Sequence, residues 1–206
     1  MPVAAWQYVP MKIFNARFPS IASATLLALA TLGFSFHQYY FCRTLSSLKR
    51  DIDRHRQSMT ASLEYGYHAG NDARYARELR NHVEILKALN SDSRLIESRK
   101  AEMVDELKKS ACHAVLAACE AGYIQTTQLS NHYATIEKKT SYEEIFPVLL
   151  NYLRYAENGC CKIEQSRNDL TREYVLLDSA QEWVWIGCLT AQTLGLELGL
   201  FALRQK

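Results

Sequence analysis

Phe18-Pro19-Ser20-Ile21-Ala22-Ser23-Ala24-Thr25-Leu26-Leu27-Ala28-Leu29-Ala30-Thr31-Leu32-Gly33-Phe34-Ser35-Phe36-His37-Gln38-Tyr39-Tyr40-Phe41-Cys42 contains no charged residue and is bracketed by Arg17 and Arg43. As an α-helix this stretch would reach about 37 Å, and a bilayer's hydrocarbon core is roughly 30 Å thick. It predicts a transmembrane helix over residues 18–42 and makes membrane lipids the first expected partner. The apolar run passes into bulky aromatics with no small-residue cleavage site, so it reads as an uncleaved anchor rather than a secretory signal. No acid precedes Asp51. That pattern is compatible with mitochondrial import, although presequences are usually richer in arginine.

Outward from this segment, residues 1–17 form a short tail whose Trp6, Tyr8 and Phe14 suit lipid headgroups, as do Tyr39, Tyr40 and Phe41 at the other end. Lys12 and Arg17 flank one side, and Arg43, Lys49, Arg50, Arg54 and Arg56 the other. The positive-inside rule then places the middle of the chain on a cytoplasm-like side, either bacterial cytosol or mitochondrial matrix. Arg43, Lys49 and Arg50 are the expected headgroup contacts, each worth on the order of 1 kcal/mol, with Asp51 and Asp53 working against them.

The chain ends in a second apolar stretch, Trp183 to Leu203, with Glu197 as its one charge and Arg204 and Lys206 beyond. It predicts a second span within residues 182–206, with Trp183 and Trp185 at the interface. A buried helix of a soluble region is the alternative. Gly187, Ala191, Gly195 and Gly199 fall four apart, a ladder of small residues that lets another backbone approach. Ser20, Ala24, Ala28, Thr31 and Ser35 offer a counterpart in the first span, with Ala24 and Ala28 as the expected contacts. A helix pair within the chain accounts for both stripes; so does docking against other subunits.

Between the spans the composition is helical: 8 glycines and 4 prolines in 206 residues, with Leu, Ala, Glu, Lys and Arg plentiful. Residues 43–122 read as an amphipathic, coiled-coil-like region and residues 123–181 as a further helical region. Leu45, Leu48, Ile52, His55 and Met59 keep a 3-4 spacing, and Gly66, Gly70 and Asn71-Asp72 then predict a break. The spacing resumes at Ala76, Leu79, Val83 and Leu86. Ser91-Asp92-Ser93 punctuates, and Leu95 to Ala121 is again helical. Its last turns, Ala111 to Ala121, are nearly all small and predict burial against a partner helix. Gly122 is the expected C-cap, Ser141-x-x-Glu144 a capping box, Pro147 a kink, and Asn158-Gly159 a stop. Ile163, Leu170, Tyr174 and Leu177 mark one more amphipathic helix. The fold class expected is all-α, a helical hairpin or bundle between two membrane helices.

Chemistry is sparse. A net charge of +2 gives no footprint for nucleic acid. Phosphate-loop, GxSxG and HExxH patterns are missing, so no catalytic residue and no cofactor is expected and the chain reads as a non-enzyme. Cys112-His113, Cys119 and Cys160-Cys161 lack the ligand pairs of a structural zinc site, and no metal is expected. Cys112 or Cys119 meets Cys160 or Cys161 only if helices fold back on each other; reduced buried thiols are the expectation. His37 as a haem ligand has no second ligand, and Glu197 as a proton-relay group is weaker than Glu197 as an interfacial carboxylate. The reading is a non-catalytic accessory subunit of a large mitochondrial inner-membrane complex, such as a respiratory-chain complex or ATP synthase, partnered by other subunits and lipid. A free-standing coiled-coil tether is the rival, and a small transporter or membrane enzyme using Glu197 and His37 comes third.

Overall fold

Two serines stitch the middle of the chain together: Ser62 Oγ donates to the Ala117 carbonyl at 2.8 Å and Ser110 Oγ to the Ala69 carbonyl at 2.7 Å. They join two of the helices in a computed structural model that describes residues 8–204, with side chains from Phe18 onward. The elements are α1 (Tyr8–Phe36), a π-helical turn (His37–Phe41), α2 (Cys42–Ala88), α3 (Ser93–Glu120), a short 3-10 turn (Thr126–Gln128), α4 (Leu129–Glu137) and α5 (Tyr142–Arg204). Among the described residues the chain is all-helical, with no strand. Trp6 and Lys206 lie outside these residues, as do the side chains of Tyr8, Lys12, Phe14 and Arg17.

The chain separates into two compact units: one joins the chain up to Arg50 with the chain from Leu170, and the other is Asp51–Asp169. In the second unit, Ala69, Ala76, Leu79 and Val83 of α2 are buried, as are Leu107, Ala111, Ala114, Val115 and Ala118 of α3 and Ile145, Leu149 and Tyr152 of α5. Ile136 adds α4 to the same core. The small-residue end of α3 is thus buried against helices of its own chain. Lys108 Nζ reaches the Glu137 carbonyl at 3.0 Å, capping the C-terminus of α4 with positive charge.

The expected break at Gly66, Gly70 and Asn71-Asp72 does not occur; α2 is continuous. Each glycine weakens an isolated helix by about 1 kcal/mol relative to alanine. The Ser62 and Ser110 bonds pin α2 to α3 just before that window and, at Ala69, within it, and burial of Ala69, Ala73 and Ala76 outweighs the local penalty. The expected stop at Asn158-Gly159 is also absent, because α5 runs on to Arg204. Gly159 is instead a contact glycine: a Cβ there would stand 2.5 Å from the Ala121 carbonyl oxygen. Pro147 lies inside α5, which continues past it.

The real helix ends use the local chemistry of the sequence. Gly122 adopts φ +71°. Its N–H donates to Cys119 O and the Tyr123 N–H to Ala118 O, both at 2.9 Å, the paired bonds of a Schellman end. Asn90 (φ 51°) ends α2 in the same left-handed conformation. Asp92 then caps α3, accepting from the Arg94 N–H at 2.9 Å. At the start of α5, Ser141 Oγ accepts from Glu144 N at 3.3 Å and the Glu144 carboxylate accepts from Thr140 N at 3.0 Å. All six cysteines are free, and Cys160 Sγ rests 3.3 Å from Ser62 Oγ.

Candidate functional site

The feature that sets this chain apart is the helix pair of the first unit, where the residues that pack are small and the residues that face outward are large. Ser23, Ala30 and Gly33 of α1 meet the C-terminal part of α5. Ser23 Oγ donates to the Gly195 carbonyl at 2.6 Å. A Cβ on Gly195 would lie 3.1 Å from Leu27, and one on Gly199 would lie 3.0 Å from Ser23 Oγ. A Cβ on Gly33 would collide with Cys188 Sγ. Further along, Phe34 and Trp185 meet edge to face at 6.3 Å. Partners descend along α5 as residues ascend along α1, so the two segments run antiparallel.

Glycine belongs at this seam because, with no side chain of its own, it lets the Ser23 hydroxyl of one helix reach the Gly195 carbonyl of the other, and close contact adds dispersion. The outward faces carry Ile21, Leu29, Leu32, Leu196, Leu200, Phe201 and Leu203, all exposed. Hydroxyls on those faces bond within their own helices: Thr25 to Ile21 O at 3.0 Å, Thr31 to Leu27 O at 2.8 Å, and Thr193 to Leu189 O at 2.9 Å. Two helical segments, one beginning at Phe18 and one within α5, are long and apolar enough to cross a membrane.

Of the residues expected to pack, Gly195 and Gly199 meet α1 and Ala191 is half-buried, while Gly187 is exposed with nothing within 4 Å of its Cβ position. Ala24 and Ala28 are exposed, as are Ser20, Thr31 and Ser35. The contact stripe on α1 runs instead through Ser23 and Ala30. Alanine and serine occur on every side of this helix, so composition alone could not select the face. The headgroup candidates Arg43, Lys49 and Arg50 are exposed, as are Trp183 and Trp185. Arg43 lies 6.0 Å from the Tyr39 ring centroid. Glu197 is exposed as well.

The π-turn was not anticipated from the sequence. Cys42 N–H donates to His37 O, a step one residue longer than in an α-helix. The inward stripe of α1 (Ser23, Leu26, Ala30, Gly33, His37) alternates by three and four; the wide turn delays its next member by one. Phe41 is consequently buried and Tyr40 exposed. Phe36 stacks on Tyr40 at 5.1 Å and meets Phe41 edge-on at 5.8 Å, so the aromatic run supports the turn. His37 Nε2 is buried and has no hydrogen-bond partner among the described residues. His37, Gln181, Glu182, Trp185 and Ile186 line a cavity of about 330 Å³. π-turns inside helices occur frequently at functional sites.

In the second unit, an apolar groove of about 590 Å³ runs past Met59, Leu63, Gly66, Tyr67, Leu153 and Ala156. Leu63 and Tyr67 on its rim are strongly exposed. His113 Nδ1 meets Asp72 at 2.8 Å, and burial pushes the thiols of Cys112 and Cys119 upward from their ordinary pKa. Among the described residues no cluster of His, Cys, Asp and Glu is arranged to hold a metal ion. Comparison with known proteins finds no matching family model, no matching curated protein and no matching solved structure.

Proposed function

We propose that this chain is a non-catalytic accessory subunit of a membrane complex, inserted as a two-span helical hairpin, with the mitochondrial inner membrane as its most specific placement. One observation carries the membrane part: the α1–α5 pair buries Ser, Ala and Gly and turns Leu, Ile and Phe outward. Water would favour the reverse arrangement, whereas lipid solvates the large apolar side chains and leaves close packing to hold the pair. Intrahelical bonding of the exposed threonines also suits lipid, which offers them no partner. The mitochondrial placement, in a respiratory-chain complex or the ATP synthase, is supported by the acid-free N-terminal segment. The apolar groove beside Gly66 and its exposed rim support docking against an unlike chain.

The continuity of α2 favours a second reading, a membrane-anchored coiled-coil tether. Against it stands the burial of Ala69, Ala76, Leu79 and Val83, which engages that face of α2 within the chain rather than along a coiled-coil seam. Mild-detergent extraction, native gel separation and mass spectrometry discriminate the two. Stoichiometric unlike subunits at a mass far above 23.6 kDa are the expected result. A small homo-oligomer without companions would overturn the subunit reading.

A further inference from the structure

Glu197 is the one charged residue between Trp183 and Leu203, and its side chain is exposed on the face of α5 turned away from α1. Gly195 and Gly199, two residues to either side of it, pack against Leu26, Leu27 and Ser23 of α1. At about 100° per residue, a position two residues from each points roughly 160° around the helix from that seam. Its own helix offers it no donor. The Thr193 hydroxyl, one turn earlier on the same face, already donates to Leu189 O at 2.9 Å, and the Thr190 hydroxyl to Ile186 O at 2.8 Å. Among the described residues the Glu197 carboxylate forms no hydrogen bond and no ion pair.

Depth makes this exposure costly. Thr193 is the middle of the Trp183–Leu203 stretch, and Glu197 lies one turn, about 6 Å, beyond it. That leaves about 9 Å of a hydrocarbon core roughly 30 Å thick before the nearer headgroup layer. Side chains tilt toward the N-terminus of their helix, so the carboxylate leans back over Thr193, away from that layer and from Arg204. Ionisable groups at such depth pair with other groups rather than face lipid. The small side chains of Thr190 and Thr193 leave room for a neighbour to reach it. Charge selects that neighbour: a cation both neutralises the carboxylate and donates to it, whereas a neutral donor only donates. A second copy is excluded by the same charge, since two copies inserted in one sense set Glu197 beside Glu197. We infer that this face of α5 docks a membrane-spanning helix of an unlike chain that presents a lysine or arginine at the depth of Glu197. The surface rests on the membrane reading above and gives its partner a chemistry.

The test uses the full chain and begins with an alkaline carbonate wash of its membranes. Release would overturn the membrane reading and the surface with it; retention leaves the surface to be judged alone. The retained protein, with a fluorescent donor at its C-terminus, is reconstituted in phosphatidylcholine vesicles with an acceptor-labelled leucine–alanine peptide long enough to span them. One turn from its middle the peptide carries lysine, leucine or glutamate. Energy transfer is expected to show the lysine peptide binding about tenfold more tightly than the leucine peptide, the scale of one charge-assisted hydrogen bond. Glu197→Gln should remove that advantage, Glu197→Lys should prefer the glutamate peptide, and Glu182→Gln should change nothing. Equal binding of the lysine and leucine peptides, or an unchanged preference in Glu197→Gln, would overturn the surface. A lysine preference seen only in Arg204→Gln would make Arg204 the partner and overturn it too, as would stronger transfer between two copies of the chain than to the lysine peptide. In native membranes, a photo-crosslinking residue at Thr193 should join an unlike chain through a segment containing lysine or arginine. Attachment to lipid alone, or to a segment with neither residue, would overturn the assignment.

Discussion

The two units of this chain both bury small residues where helices meet, and they differ in what surrounds that contact. In Asp51–Asp169, Ala69, Ala76, Ala111, Ala114, Ala117 and Ala118 share the centre with Leu79, Leu107, Ile136, Ile145 and Leu149, and the Lys87–Glu84, Lys100–Glu97 and Lys109–Glu106 pairs lie on the surface. In the α1–α5 pair the centre is Ser23, Ala30, Gly33 and Gly195, and the outside is Leu, Ile, Phe and Trp. Both depend on a glycine at a close helix contact, Gly159 against the Ala121 backbone in one and Gly195 against Leu26 and Leu27 in the other. Close approach is thus common to both units; what differs is the outer face, which carries ion pairs in one and Leu, Ile, Phe and Trp in the other.

The largest expected disruption of this contrast is Gly159→Leu. With a backbone carbonyl 2.5 Å from the new Cβ, the strain has no flexible neighbour to absorb it. Thermal unfolding followed by circular dichroism in detergent should show a loss of about 3 kcal/mol, the upper end of overpacking penalties. Gly195→Ile comes next, because its Cβ meets the side chains of Leu26 and Leu27, which can yield. Spin labels at the exposed Thr25 and Leu194 should report a wider, longer distance distribution in that variant. Gly187→Ile, with nothing within 4 Å, should leave the distribution unchanged.

Acid sharpens the comparison from the polar side. The carboxyl of Glu102 is held below the ordinary range by its bonds to Tyr75 and Arg99, and that of Glu144 by the Thr140 N–H. Because their folded pKa values are depressed, their stabilisation is complete above the ordinary carboxylate pKa of about 4.3 and is lost as pH falls through the lower folded values. A Glu102→Gln, Glu144→Gln double variant should therefore show a flatter acid limb in its thermal midpoint. Thiol chemistry follows burial: Cys112 and Cys119 should react with maleimide more slowly at neutral pH than exposed Cys161, as peptide mapping would show. The smallest effect is a gain. Gly66→Ala and Gly70→Ala meet nothing within 4 Å and should each stabilise α2 by ~0.5–1 kcal/mol in the same melts.

Legibility in the sequence tracked the range of the interaction involved. The capping box at Ser141, the left-handed Gly122 and the interruption at Ser91-Asp92-Ser93 were readable because each acts within a few residues of itself. Gly66 and Gly159 were misread as interruptions, since the same residue type ends a helix or admits a neighbour depending on what lies across from it. Ala24 and Ala28 were chosen for size, yet the stripe at Ser23 and Ala30 is equally small. The π-turn has no pattern of its own in an aromatic run, and only the burial of Phe41 over Tyr40 reveals it.

By itself the sequence determined that the chain is helical, where several helices are capped, and which two stretches are apolar enough to cross a bilayer. Those properties are sums over neighbouring residues: propensity, charge and hydropathy. The tertiary structure alone decided that α2 and α5 run unbroken through their glycines, which face of α1 meets α5, and that His37, Gln181, Glu182 and Trp185 share a cavity. These outcomes depend on groups far apart in the chain, from 41 residues for Ser110 and Ala69 to 172 for Ser23 and Gly195, and their free energy exists only once the backbones have met.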